Sequence, residues 1–198
     1  MVQIALTLPV VAIIVAAVLG WLGANPIEAV IHETGQWALW LLVVTIALTP
    51  LAWITRWKGV LALRRVVGLA AFWYALLHLS AYVGLDQFFD LDAIATDIVK
   101  RPYITGGMLA FSLLLVMALT SSARFRRWTG IRNWKRLHQR LIHPALVIAM
   151  VHYGLRIKAD FTDWRVVATT LGSVWLLRLG IHYFQNRPTR DRADHGSH

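Results

Sequence analysis

Apolar runs of about 20 residues, long enough to cross a hydrocarbon core of about 30 Å, recur six times along the chain. They cover residues 4–23, 35–54, 66–84, 103–120, 138–156 and 164–184, with short polar gaps between them. The pattern predicts an all-α integral membrane protein, a bundle of six transmembrane helices. In hydrocarbon each backbone N–H and C=O must be satisfied within its own segment, and a helix does this. The first run has no positively charged flank and is longer than the core of a signal peptide, so it is read as a retained helix. Residues 1–186 then make one transmembrane domain and 187–198 a polar tail.

The gaps alternate in charge. Arg56, Lys58, Arg64 and Arg65 fall between runs two and three, and Arg124, Arg126, Arg127, Arg132, Lys135 and Arg136 between runs four and five, with no acid in either. The tail adds Arg187, Arg190 and Arg192. The other gaps hold Glu28 and Glu33, then Asp86, Asp90, Asp92 and Asp97, then Asp160 and Asp163, eight of the ten acids. Basic loops stay on the cytoplasmic side, so both termini are expected to be cytoplasmic and the acidic loops outside.

Composition sharpens this picture. The 198 residues are 58% hydrophobic and only 15% charged, with a mean hydropathy of +0.56; soluble domains carry about 25% charged residues. A net charge of +10 and a pI near 10.9 would otherwise suggest nucleic acid. The basic residues sit at membrane flanks, however, where anionic lipid is their partner, and the basic stripe of a soluble nucleic-acid binder is missing. With no cysteine, disulfides, thiolate-ligated iron–sulfur clusters and a cysteine nucleophile are excluded. No Gly-rich dinucleotide fingerprint follows a strand, and nothing resembles a hydrolytic triad or a zinc site.

The candidate chemistry lies in the histidines, because an ionisable group inside a membrane span is a functional candidate by default. His78 falls in the outer half of helix three. His152 falls at the same depth of helix five, which runs in the same direction. The pair can clamp a heme iron between two facing helices, with small residues at Ala71, Ala75, Ala145 and Ala149 leaving a slot below the ligands; hydrogen-bonded core histidines or a proton relay are the alternatives. His138 stands fourteen residues before His152, close to four turns and about 21 Å along the same face. His143 points away from that face. Arg64, not a histidine, stands fourteen residues before His78, so a single heme is favoured over two. Thr34 suits the N-cap of helix two, with His32 at the outer surface. Arg101 could hold a propionate or end a loop. Arg178 can snorkel.

Several ordered segments resemble the MsrQ (YedZ) family of heme-binding membrane subunits, part of the ferric-reductase-like transmembrane group. They are His32-Glu33-Thr34-Gly35, Arg64-Arg65-Val66-Val67-Gly68-Leu69, Leu77-His78-Leu79-Ser80-Ala81-Tyr82, Arg101-Pro102-Tyr103-Ile104-Thr105-Gly106, Trp134-Lys135-Arg136-Leu137-His138 and Val151-His152-Tyr153. The resemblance covers residues 25–160. It implies a bacterial inner-membrane protein carrying heme b, with FMN as an associated cofactor. Such a subunit would pass electrons from the quinone pool or a cytosolic flavin reductase to MsrP, a periplasmic molybdopterin enzyme that reduces methionine sulfoxide in oxidised proteins. It implies an electron-transfer subunit of an oxidoreductase complex rather than its catalytic subunit. The family's heme histidines map onto His78 and His152, with His138 a third match. The spacing between His138 and His152 departs from the family's by one residue, with His143-Pro144 inside the interval, which weakens His138 as a ligand. A flavin or quinone is expected at the inner end, near His138 and Arg64, where flavin phosphate suits an arginine cluster. A stand-alone ferric or cupric reductase of the same fold, or a proton-coupled transporter with histidine relays, are the rival readings.

Overall fold

The computed structural model describes residues 2–57, 59–156 and 162–185; the polar tail expected from 187 falls outside it. Every regular element among the described residues is helical. In chain order they are α1 (Val2–Val18), α2 (Pro26–Ile54), α3 (Val60–Ala81), α4 (Leu91–Lys100), α5 (Pro102–Leu119), α6 (Ala123–Thr129), α7 (Ile131–Arg156) and α8 (Thr162–Gln185). A π-helical turn, Tyr82–Asp86, continues α3. Among the described residues three helices are long and apolar enough to cross a membrane: α2, α3 with its π turn, and α5. At 17 residues α1 is shorter, and α7 is lengthened at its start by Arg132, Lys135, Arg136 and Arg140.

Two short helices, α4 and α6, lie in gaps read above only as polar. Each is started by its own cap. Asp90 accepts from the backbone N–H of Asp92 and Ala93, both at 3.0 Å, and Ser122 Oγ accepts from that of Phe125, as orphan first-turn donors require. The start of α2 corrects the expectation for Thr34. The helix begins nine residues earlier than residue 35, with Pro26 in its first turn. Its cap is Asn25, whose side chain accepts from Glu28 N–H. Thr34 is buried and donates to the Val30 carbonyl at 2.7 Å, so His32 lies within the helix rather than ahead of it.

Four helices form a ring in the order α2, α3, α5, α7. The closest packing is within α2–α3 and within α5–α7, whereas α3–α5 and α2–α7 touch more sparingly. The diagonal pair α3 and α7 share no substantial interface. The core that closes the ring includes Leu42, Ile46, Ala71, Ala145 and Leu146, none more than 2% exposed. Ala71 and Ala145 are both at 0%: at their level the small side chains let helices meet, so the bundle is closed there instead of opening into a slot. Outside the ring, α8 packs on α2 and α7, and α1 on α2 and α3, where Tyr74 OH donates to the Leu6 carbonyl at 2.8 Å.

One end of the ring carries the α2–α3 and α5–α7 connections and α6; the other carries the start of α2, the π turn, α4 and the end of α7. The positive-inside expectation predicts which end faces which compartment. The chain has no cysteine, so Asp92→Cys should react with a membrane-impermeant maleimide from the periplasm, and Arg126→Cys only after permeabilisation. The reverse labelling pattern would overturn the assigned sidedness.

Candidate functional site

His78 and His152 meet across the diagonal of the ring. Their ring centroids are 6.0 Å apart and their planes cross at 76°. Each ring is held by a neighbouring helix. Nδ1 of His78 is 2.7 Å from the carbonyl oxygen of Ile31 on α2, and Nδ1 of His152 is 2.6 Å from that of Tyr103 on α5. A carbonyl only accepts, so each Nδ1 carries the proton and donates. The Nε2 lone pair of each neutral ring is then left free, which is the form in which histidine binds a metal.

The two holders are built alike. Gly35 follows Ile31 by four residues, and Gly107 follows Tyr103 by four. Each carbonyl therefore stands where the i−4 helix bond of its glycine falls, and a carbonyl has two lone pairs to serve both donors. The glycines make room for the rings. A Cβ added at Gly35 would stand 2.9 Å from His78 Nδ1, and one at Gly107 would stand 2.8 Å from His152 Cε1. Only a hydrogen fits in either place. Reading the sequence for ionisable groups missed these four residues; glycine inside an apolar helix, away from any turn, is the signal that marks them.

At the acidic end a polar chain ties the two halves together. Tyr82 OH donates to Asp97 Oδ2 at 3.2 Å, Arg101 Nε pairs with Asp97 Oδ1 at 3.0 Å, and Arg101 Nη1 donates to Tyr103 OH at 3.3 Å. Tyr82 follows His78 by one turn, and Tyr103 holds His152, so this chain joins the ends of the two histidine mounts. Arg101 is committed to it. Nearby, Arg156 on α7 pairs with Glu28 on α2 at 3.3 Å, and half-buried His32 lies one turn after Glu28.

Two further histidines, His138 and His143, lie elsewhere. His138 Nε2 is 3.0 Å from Thr120 Oγ1, at the far end of α5, and its ring is 4.5 Å from that of Trp134. His143 faces α8, with its ring 6.0 Å from that of Trp175, off the face of His152 as its phase predicts. The side chain of His182 is outside the described residues.

The geometry can be tested against a bound group. Two imidazole nitrogens on opposite sides of one metal, each bonded at about 2.0–2.1 Å, place their ring centroids about 6 Å apart. His78 and His152 are already at that separation. Among the described residues no three His, Cys, Asp or Glu side chains converge on a point. Two imidazoles are too few for a bare ion, whose shell needs at least four donors. A macrocycle that supplies the remaining donors would complete the shell, with His78 and His152 as the residues that hold it. The residues fit a heme.

The ring carries paired imidazoles across its diagonal, and the comparisons place it in a class of membrane protein. Residues 34–151 match the family described as ferric reductase like transmembrane component. The chain is 48% identical over 160 residues to the protein-methionine-sulfoxide reductase heme-binding subunit MsrQ of Rhodospirillum rubrum, covering 81% of this chain and 76% of that one. It is 48% identical over 141 residues to the subunit of the same name in Caulobacter vibrioides, covering 71% and 67%, and 39% identical over 160 residues to that of Herminiimonas arsenicoxydans, covering 80% and 73%. The chain belongs to the MsrQ family.

The glycine cradle generates a graded prediction. Gly35→Ala and Gly107→Ala should each displace a ring and weaken hemin binding by the purified protein at least about tenfold, the effect of roughly 1.4 kcal/mol. Gly68→Ala, whose Cβ would meet Thr45 Cγ2 at an ordinary 3.6 Å, should bind as wild type. Soret-band titration measures all three.

Proposed function

We propose that the chain is a six-span electron-transfer subunit of the bacterial inner membrane, holding heme b between His78 and His152. The observation that carries this reading is the 6.0 Å separation of two imidazoles whose Nδ1 protons are both engaged by carbonyls. The heme supplies a one-electron couple when bound. The protein's part is to fix both rings as neutral Nε2 ligands, to exclude water through the packed core beneath them, and to set the site close to one membrane face. The domain so defined is residues 1–186.

Electrons would enter from the quinone pool or a cytosolic flavin reductase, with FMN as the second cofactor that the resemblance implies. They would leave to a periplasmic molybdopterin enzyme, the MsrP-type partner that reduces methionine sulfoxide. The name that the relatives bear, heme-binding subunit of a protein-methionine-sulfoxide reductase, supports both the cofactor and the reaction. His138 is left with a supporting role at the other end of the bundle, bonded to Thr120.

Ligation is checked by spectroscopy. His78→Ala and His152→Ala should each abolish the low-spin heme spectrum, and His143→Ala should leave it intact. A normal low-spin spectrum in His78→Ala protein would sink the assignment.

Delivery to the partner has its own test. Asp86, Asp90 and Asp92 crowd the rim at the histidine end, where charge sets encounter rate and register more than affinity. The triple change to Asn keeps the α4 cap, since Asn caps as well as Asp. It should slow heme reoxidation by the periplasmic acceptor severalfold in stopped flow, with heme content and reduction by the donor unchanged. Loss of the reduction step alone would reverse the proposed route.

A further inference from the structure

The residues that follow the π turn carry side chains that neither the core nor the histidine site uses. Phe88 and Phe89 are 77% and 72% exposed, and both have left-handed backbone, with φ of +48° and +61°. A bulky residue is an outlier there, because its Cβ crowds the following carbonyl; glycine or asparagine would take the same turn more easily. Such a conformation persists only where its surroundings dictate it. Here they do. The N–H of Gln87 donates to the Tyr82 carbonyl at 3.0 Å, that of Phe89 to the Val83 carbonyl at 2.9 Å and that of Asp90 to the Gln87 carbonyl at 2.8 Å. The Asp90 carboxylate then starts α4. The Phe89 ring lies against Gly84, where an added Cβ would stand 3.3 Å from its Cζ. The backbone is locked, and the result is two rings held out from the bundle.

Exposed aromatic surface of this kind marks a place that something else covers. Lipid is the first candidate in a membrane protein, and the flanking residues argue against it. The membrane-capable span Val60–Asp86 ends two residues before Phe88. Asp86, Asp90 and Asp92 flank the rings and are all exposed, and carboxylates are costly in hydrocarbon. Helix ends are seated at a lipid interface by Trp, Tyr, Lys and Arg, and none of these occurs between Val83 and Val99. Aromatic residues inside a charged rim are instead the anatomy of a protein contact. The single sign of the rim specifies the other side: an apolar pocket edged by Lys and Arg. Position specifies which protein. Tyr82, which opens the π turn, follows His78 by one helical turn, so the rings stand on the element that carries one of the paired imidazoles, at the end where electrons leave.

We propose that Phe88 and Phe89 are a docking knob for the water-soluble electron acceptor, seated in an apolar pocket of that protein whose rim is basic. The inference rests on the electron-transfer reading above and adds to it the residues that grip the partner.

The full heme-loaded chain in phosphatidylcholine nanodiscs is titrated with the MsrP-type catalytic subunit of the same bacterium. Phe88→Gly should weaken binding at least about tenfold, roughly 1.4 kcal/mol, and Phe88→Tyr should bind as wild type. Glycine accepts the left-handed turn, so Phe88→Gly should keep its heme and unfold at the wild-type temperature or above it. Lower affinity without lower stability is not what a merely structural ring produces. A second measurement locates the ring. The chain has no cysteine, so Phe88→Cys can be labelled with bimane at that one position. Quenching by aqueous iodide, relieved when the subunit is added, supports the knob. Quenching by doxyl-labelled lipid instead puts the ring in the bilayer and overturns it. Wild-type affinity in Phe88→Gly, or a loss of heme or thermal stability in that variant, also overturns the knob and leaves the electron-transfer reading standing. A wild-type chain that does not bind the subunit at all removes the knob and the choice of partner together.

Discussion

Everything at the acidic end of this bundle depends on where two imidazole protons go. A histidine inside a membrane has one N–H that must be given away and one lone pair that must find an acid. Here both Nδ1 protons go to helix carbonyls, of Ile31 and Tyr103. That fixes the tautomer, the ring orientation and the direction of each Nε2 together. Gly35 and Gly107 follow from it, because a ring that reaches a helix carbonyl must lie against the backbone one turn on, where a Cβ would collide. The Pro102 start of α5 and the early start of α2 at Pro26 follow too, since both carbonyls must already lie within a helix.

Much of this was legible in the sequence. Hydrophobic run length and loop charge located the helices, because burial in lipid leaves few alternatives to a helix. Depth counting brought His78 and His152 to one level, and helical phase sent His143 elsewhere. What was not legible arises from contacts between helices. Thr34 reads as a cap only if helix two begins at the edge of the apolar run; the structure extends it by nine residues through the polar segment Pro26–Thr34, capped by Asn25. The holders of the histidines are backbone atoms, which carry no sequence identity. The alanines at Ala71 and Ala145 pointed to open space and are instead fully buried, because a small side chain is equally suited to a gap and to a tight approach. Arg178 read as a snorkelling residue until its Nη1 was seen to be enclosed without a partner.

The two ends of the ring solve opposite electrostatic problems. At the histidine end two acids pair with bases, Asp97 with Arg101 and Glu28 with Arg156. At the other end arginines gather with no acid among the helices that reach it.

The ring has a further property. Its site consists of two equivalent pieces: α2 with α3, giving Ile31, Gly35 and His78, and α5 with α7, giving Tyr103, Gly107 and His152. Each piece completes its own mount through its own hydrogen bond, and the pieces touch each other less than they touch themselves. A group bound by both imidazoles is then a rivet between two preformed plates. Because it binds only the joined form, its binding energy becomes assembly energy. During biogenesis each helical hairpin could insert on its own, and cofactor capture would be the event that locks the halves.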